Sequence, residues 1–174
     1  MTTRNMTLAN NAKPVGYSRL QISLHWIIAA LVIFQLFFGE SMTHTVDAVA
    51  EGTVVASTDT WLAWFHYWFG IAILAIVALR LFVRLKRGVP TVRADTLSWT
   101  DQLDQLAHGS FYVLLVAVPV TGLPGYYVEV PFGDIHAWAK PVLIGLIAVH
   151  AAVALYHHFW KKNGTLARIL RSSS

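Results

Sequence analysis

The sequence predicts an all-α integral membrane protein, a four-helix bundle forming a single domain over residues 1–174 with both termini in the cytoplasm. Three observations lead there. Four apolar runs are each long enough, with their flanks, to cross a hydrocarbon core of about 30 Å. The composition is skewed the same way: 56% of residues are hydrophobic and 13% charged, with a mean hydropathy of +0.53, which does not suit a soluble domain. The charges also fall in blocks. Residues 1–21, 80–105 and 161–174 hold 12 of the 13 lysines and arginines. The positive-inside rule assigns all three segments to the cytoplasm. The outer side keeps Lys140 and six of the nine acidic residues. The net charge of +4 therefore punctuates membrane spans and makes no nucleic-acid footprint.

Taken in order, residues 1–21 form a polar tail with Arg4, Lys13 and Arg19. The first span covers about 22–40. It is not a cleaved leader, because Ala48-Val49-Ala50 lies too far beyond the apolar run to serve as its processing site. Residues 40–60 read as a polar loop with Glu40, Asp47, Glu51 and Asp59 and no basic residue. The second span covers about 61–83. Arg80, Arg84, Lys86, Arg87 and Arg93 lead into a loop with Pro90, closed by Thr100-Asp101 as the N-cap of the next helix. The third span, about 106–127, contains Pro119, Gly122, Pro124 and Gly125, so its far end should kink or stop early. A short loop, 128–135, holds Glu129 and Asp134. The fourth span, 138–160, precedes an Asn163-Gly164 helix stop and a basic tail with Lys161, Lys162, Arg168 and Arg171. Trp26, Trp61, Trp64, Trp68, Trp138 and Trp160 lie near span ends, as an interfacial aromatic belt requires.

Cysteine is absent, which excludes disulfides, iron–sulfur clusters, thioether-attached haem and thiolate ligation. A redox cofactor would have to be held by histidine or methionine. His136 and His150 are 14 residues apart, almost four helical turns. Both project from nearly one face, about 21 Å apart along the axis. An imidazole at membrane depth is costly unless it binds something; for His150 alone, interhelical packing is the competing reading. His66 falls at the depth of His136 near the outer side, and His25 at the depth of His150. Each level thus draws two imidazoles from two helices, the arrangement that bis-histidine ligation of b-type haem requires.

Arg80 lies 14 residues after His66 on the same face, at the inner level. It could pair with a haem propionate or snorkel to the headgroups. Gly70 could let a macrocycle approach the backbone or serve as a helix contact. His108, His157 and His158 lie near the cytoplasmic surface. His157 shares a face with His150 and could protonate a quinone; each of the three could equally be an interfacial polar residue. His44 receives no role.

From Tyr17 onward the chain resembles the bacterial dihaem cytochrome b561 family, related to the membrane cytochrome b subunits of nickel–iron hydrogenases and formate dehydrogenases. The resemblance rests on Tyr17-Ser18-Arg19 with His25-Trp26, and on His66 with Gly70, Arg80 and Arg84. It continues through Ala107-His108-Gly109, the pair His136 and His150, and His157-His158-Phe159-Trp160-Lys161. It implies a multi-pass protein of the bacterial inner membrane with two haem b groups. His66 and His136 would hold the outer haem, and His25 and His150 the inner one. It also implies electron transfer from a periplasmic donor to a membrane quinone, ubiquinone in some members. Arg80, His108 and His158 are further cofactor contacts on this reading, and His157 acts at the quinone.

Some small members of this family oxidise superoxide. Lys140, one turn after His136, would attract such an anion beside the outer haem, although the acidic outer loops oppose it. The multisubunit relatives make the alternative a cytochrome b subunit docked to a periplasmic dehydrogenase. A histidine-relay proton or metal transporter is a more distant reading, weakened because the predicted span interiors lack aspartate and glutamate. A purely structural assembly subunit would leave the histidines replaceable.

Overall fold

The computed structural model describes residues 17–88, 99–127, 132–162 and 165–170. These form six helices: α1 (Arg19–Phe38), α2 (Glu40–Ala50), α3 (Ser57–Arg87), α4 (Trp99–Tyr127), α5 (Phe132–Phe159) and α6 (Thr165–Leu170). Helices α1, α3, α4 and α5 are long and apolar enough to span a membrane, giving the all-α four-helix bundle. Their large apolar side chains point outward: Phe37, Leu85, Val113, Trp138 and Phe159 are each exposed, as lipid contact requires. Arg93, Pro90, Glu129, Asn163 and Gly164 lie outside the described residues.

Ser18 starts α1 with a capping box, its Oγ accepting from Gln21 N while Gln21 Oε1 accepts from Ser18 N. The expected 40–60 loop is corrected: α2 follows α1 after the single residue Gly39. Met42, Val46 and Val49 recur at helical spacing, a signal masked by the charged residues between them. Glu40 sits in the first turn of α2, where the helix dipole favours an acid. His44 Nδ1 lies 3.6 Å from Asp59 Oδ2 and ties α2 to the start of α3. Helix α3 ends with Arg84, Lys86 and Arg87 in its last turn and Gly88 at φ 73°.

Thr100 and Asp101 are corrected from cap to first turn, because α4 begins at Trp99. Of the kink or early stop expected for α4, the stop does not occur: the helix runs through Pro119 and Pro124 to Tyr127, the end expected for the third span. A spanning helix tolerates proline when side chains serve its backbone. Near Pro119 and Pro124, Thr121 Oγ1 donates to Ala117 O at 3.0 Å or Val118 O at 2.9 Å, a local side-chain contact on the helix backbone. The loop expected at 128–135 gives way to α5 by Phe132, with Asp134 in its first turn. Within the tail, α6 is fastened to α1 by Trp26 Nε1 donating to Ile169 O at 3.2 Å.

In the bundle α1 packs on α3, α3 on α4 and α4 on α5. Its buried core is small: Ile28 and Val32 of α1 meet Ile73 and Val77 of α3, flanked by Leu115 of α4 and Ile147 of α5. This apolar layer lies between the level of His66 and that of His25. Water is thereby kept from the middle of the bundle, and two polar levels are left, one on each side.

Candidate functional site

At the first level, His66 of α3 and His136 of α5 face each other with ring centroids 5.8 Å apart and planes at 74°. They border a cavity of about 580 Å³, within the roughly 300–1,000 Å³ usual for cofactor pockets. Its wall includes Gln35, Gly39, Gly70, Gly122 and Lys140. His136 Nδ1 lies 2.8 Å from Val118 O. A carbonyl only accepts, so Nδ1 carries the proton and Nε2 is left with a free lone pair. Gln35 Nε2 donates to His66 O at 2.8 Å, while Gln35 Oε1 and His66 Nδ1 are buried without hydrogen-bond partners.

Gly122 makes room for the His136 ring: a Cβ there would lie 2.8 Å from its Nδ1, closer than real contacts allow, whereas one on Gly39 would collide with Gln35 O at 2.6 Å and reach His66 Cε1 only at 3.4 Å. Gly70 is different: its added Cβ would meet only Gln35 Nε2 at 3.7 Å, ordinary contact. Lys140 lies 3.7 Å from Glu40 Oε1, and Glu40, Asp47 and Asp134 line the same cavity as Lys140.

The second level gathers His25, Arg80, His108 and His150, which lie within electrostatic reach of one another. The ring pair formed here is His108 with His150, centroids 4.9 Å apart at 90°, with Phe111 5.5 Å from His150. His25 stacks edge-on against Trp26 at 5.2 Å. Arg80 turns inward: Nε donates to the Tyr112 hydroxyl at 3.4 Å, and Nη1 is buried without a hydrogen-bond partner. Arg84 instead lies over the Tyr112 ring at 5.7 Å.

Further along α5, His157 is buried at 4% exposure, its Nε2 3.8 Å from Asp101 Oδ1. Lys161 joins the same group, 3.7 Å from Asp101 Oδ2 and 2.6 Å from Thr100 Oγ1. His158 points away to the exposed side against Phe159. The structure therefore groups His66 with His136, and Arg80 with His25, His108 and His150; it keeps His157 and His158 apart.

Sequence reasoning missed Gln35, Gly39 and the role of Gly122. It also missed Asp104, which α4 carries one turn before His108, inside the extended span. The i, i+4 spacing of Asp104 and His108 was the available signal.

The chemistry on offer is redox cofactor binding rather than acid–base catalysis. At the first level paired imidazoles border a cavity that Gly122 keeps clear, and at the second level imidazoles lie near a buried arginine nitrogen that suits an anionic substituent; both fit haem b. The buried, unpartnered Nδ1 of His66 and Nδ1 of His150 fit it as well.

Comparison with known proteins follows that geometry. The profile of the prokaryotic cytochrome b561 family matches residues 16–172. A cytochrome b562 of Cereibacter sphaeroides is 34% identical, covering 90% of this chain and 96% of its own. A probable superoxide oxidase CybB of Yersinia pestis is 27% identical over 88% of this chain and 95% of its own. A cytochrome b561 homologue of Escherichia coli is 25% identical over 88% and 96%.

Proposed function

The chain belongs to the prokaryotic cytochrome b561 family, and is therefore a multi-pass bacterial membrane cytochrome of b type with an electron-transfer oxidoreductase role; from that premise we propose that it carries two haem b groups in the inner membrane and moves electrons from a periplasmic donor, superoxide in the first instance, to ubiquinone at the cytoplasmic side. The observation that carries this reading is the pair of polar levels, each with imidazoles from different helices, separated by the Ile28, Val32, Ile73 and Val77 layer. Both termini are cytoplasmic on this reading.

When bound, haem supplies one-electron ferric/ferrous chemistry. The residues do the rest. His66 and His136 would hold the outer group, with the Val118 carbonyl orienting His136 and Gly122 clearing its ring. His25 and His150 would hold the inner group, and Arg80 Nη1 would neutralise an anionic substituent there. The apolar layer excludes water and protons between the levels, so charge crosses as electrons alone. At the cytoplasmic end His157, backed by Asp101, can hold and deliver a proton to a quinone oxygen. Its burial means that a quinone would reach it from within the bundle, while exposed His158 would meet a head group only from the lipid side.

The test is a reduced-minus-oxidised spectrum with pyridine-haemochrome quantification of the detergent-purified protein. Two haem b per chain are expected, reduced by superoxide and reoxidised by added ubiquinone. One haem would remove one ligand pair; none would overturn the reading.

In the wall of the first-level cavity, Lys140 bears on the donor. Lys140→Ala should slow haem reduction by superoxide several-fold at low ionic strength, and Glu40→Gln should accelerate it by freeing the ammonium. Both differences should shrink as salt is added. Unchanged rates in both variants would place anion entry elsewhere. Asp47 and Asp134, acidic residues lining the same cavity, favour the second reading, a partner dehydrogenase as donor. In that case the purified chain would not respond to superoxide at all.

A further inference from the structure

Asp104 has no part in the roles assigned above, yet it sits within a spanning helix, where a carboxylate is costly without a partner. Its backbone carbonyl accepts from His108 Nδ1 at 2.8 Å. Its side-chain Oδ1 lies 3.5 Å from that same nitrogen and 3.7 Å from His150 Nδ1. His108 Nδ1–H is already committed to the carbonyl. His150 Nδ1 is buried with no hydrogen-bond partner. The carboxylate therefore faces one imidazole nitrogen that has a bond and one that lacks it.

We propose that Asp104 is a positioning residue for the inner haem: its carboxylate accepts the Nδ1–H of His150, fixes the tautomer whose Nε2 can ligate iron, and lowers the reduction potential of that haem. This rests on the reading of His150 as a haem ligand. Metal-binding histidines commonly donate their second N–H to a carboxylate, which orients the ring and raises its basicity. A more basic imidazole with anionic character stabilises the ferric state over the ferrous. The present 3.7 Å separation is longer than a hydrogen bond. The bond requires a rotation of either side chain that brings the two atoms within about 3.2 Å.

The experiment compares the full-length protein with Asp104→Asn and Asp104→Glu in detergent, by spectroelectrochemical redox titration and haem quantification. The inner wave is identified as the one missing in His150→Ala. In Asp104→Asn that wave should move upward by about tenfold in the reduction equilibrium, 59 mV for a one-electron couple, with the outer wave unmoved. Asp104→Glu should return it towards the wild-type position. Loss of the inner haem in Asn but not in Glu would equally support a required carboxylate. Unmoved waves, equal movement of both waves, or loss of the inner haem in both variants would overturn the inference. If the wild type lacks an inner haem, the ligand reading fails with it, and the wild-type haem count alone reveals that.

Discussion

Replacing His150 with alanine should halve the haem content, abolish electron delivery to quinone, and leave one haem that still reduces on the outer side. The side chain sits in the interior of α5, where no second imidazole on that helix lies at the same depth. His136 is about 21 Å away and His157 about 10 Å further along. The loss should stay local, because Ile28, Val32, Ile73 and Val77 fill the space between the levels and make no use of the His150 ring. Pyridine haemochrome gives the stoichiometry. A difference spectrum shows which band survives, and a stopped-flow trace with quinone shows whether reoxidation is gone. Retention of both haems would mean that His150 is not a ligand. His108, whose ring is 4.9 Å from that of His150, would then be the imidazole to replace next. With the pairing proposed above, His108→Ala should keep both haems, so the two variants separate the alternatives.

What the sequence disclosed and what it withheld follow from different physics. Span positions were readable because lipid demands long apolar runs, and no tertiary contact can override that demand. Helix depth followed too, since a fixed rise of about 1.5 Å per residue turns the numbering of His66, His136 and Arg80 into height. Helix α2 was hidden because Glu40, His44 and Asp47 make the segment look like solvent-exposed loop, while Met42 and Val46 turn into the cavity. Its formation depends on α3 being there to pack against. The limits of α4 were misjudged for a related reason: polar Asp101 and Asp104 precede the hydrophobic run, and their partners lie far along the chain, Lys161 3.7 Å from Asp101 and His150 3.7 Å from Asp104. Azimuth was the least accessible quantity. A face shared along one helix does not reveal which neighbour it meets, so neither Asp104 opposite His150 nor Gln35 against the His66 backbone could be read from spacing. Gly122 was read only as a helix breaker between two prolines. Its actual partner is 14 residues away on the next helix.

That partnership yields the second large effect. Gly122→Ala should cost the outer haem, with affinity falling about 10–100-fold, as for other changes that misplace a metal-binding imidazole. The added methyl carbon would lie 2.8 Å from His136 Nδ1 and 2.9 Å from Cε1. The ring cannot simply step back, because its Nδ1–H is tied to Val118 O at 2.8 Å, one turn earlier on the same helix as the new methyl. Either that bond breaks or the imidazole rotates off the cavity, and each moves Nε2. The direction of the stability change discriminates this from general damage. In a helix, glycine to alanine is intrinsically favourable by about 1 kcal/mol, so the haem-free variant should melt no earlier than the haem-free wild type, while loss of bound haem alone lowers the melting point of the purified variant. Gly145→Ala in α5, where an added Cβ meets nothing within 4 Å, supplies the control and should keep both haems. If Gly122→Ala also keeps both, with the outer potential unchanged, then His136 does not need the orientation that Val118 imposes. Ligation of the outer haem would then have to be reassigned to a ring that is free to move.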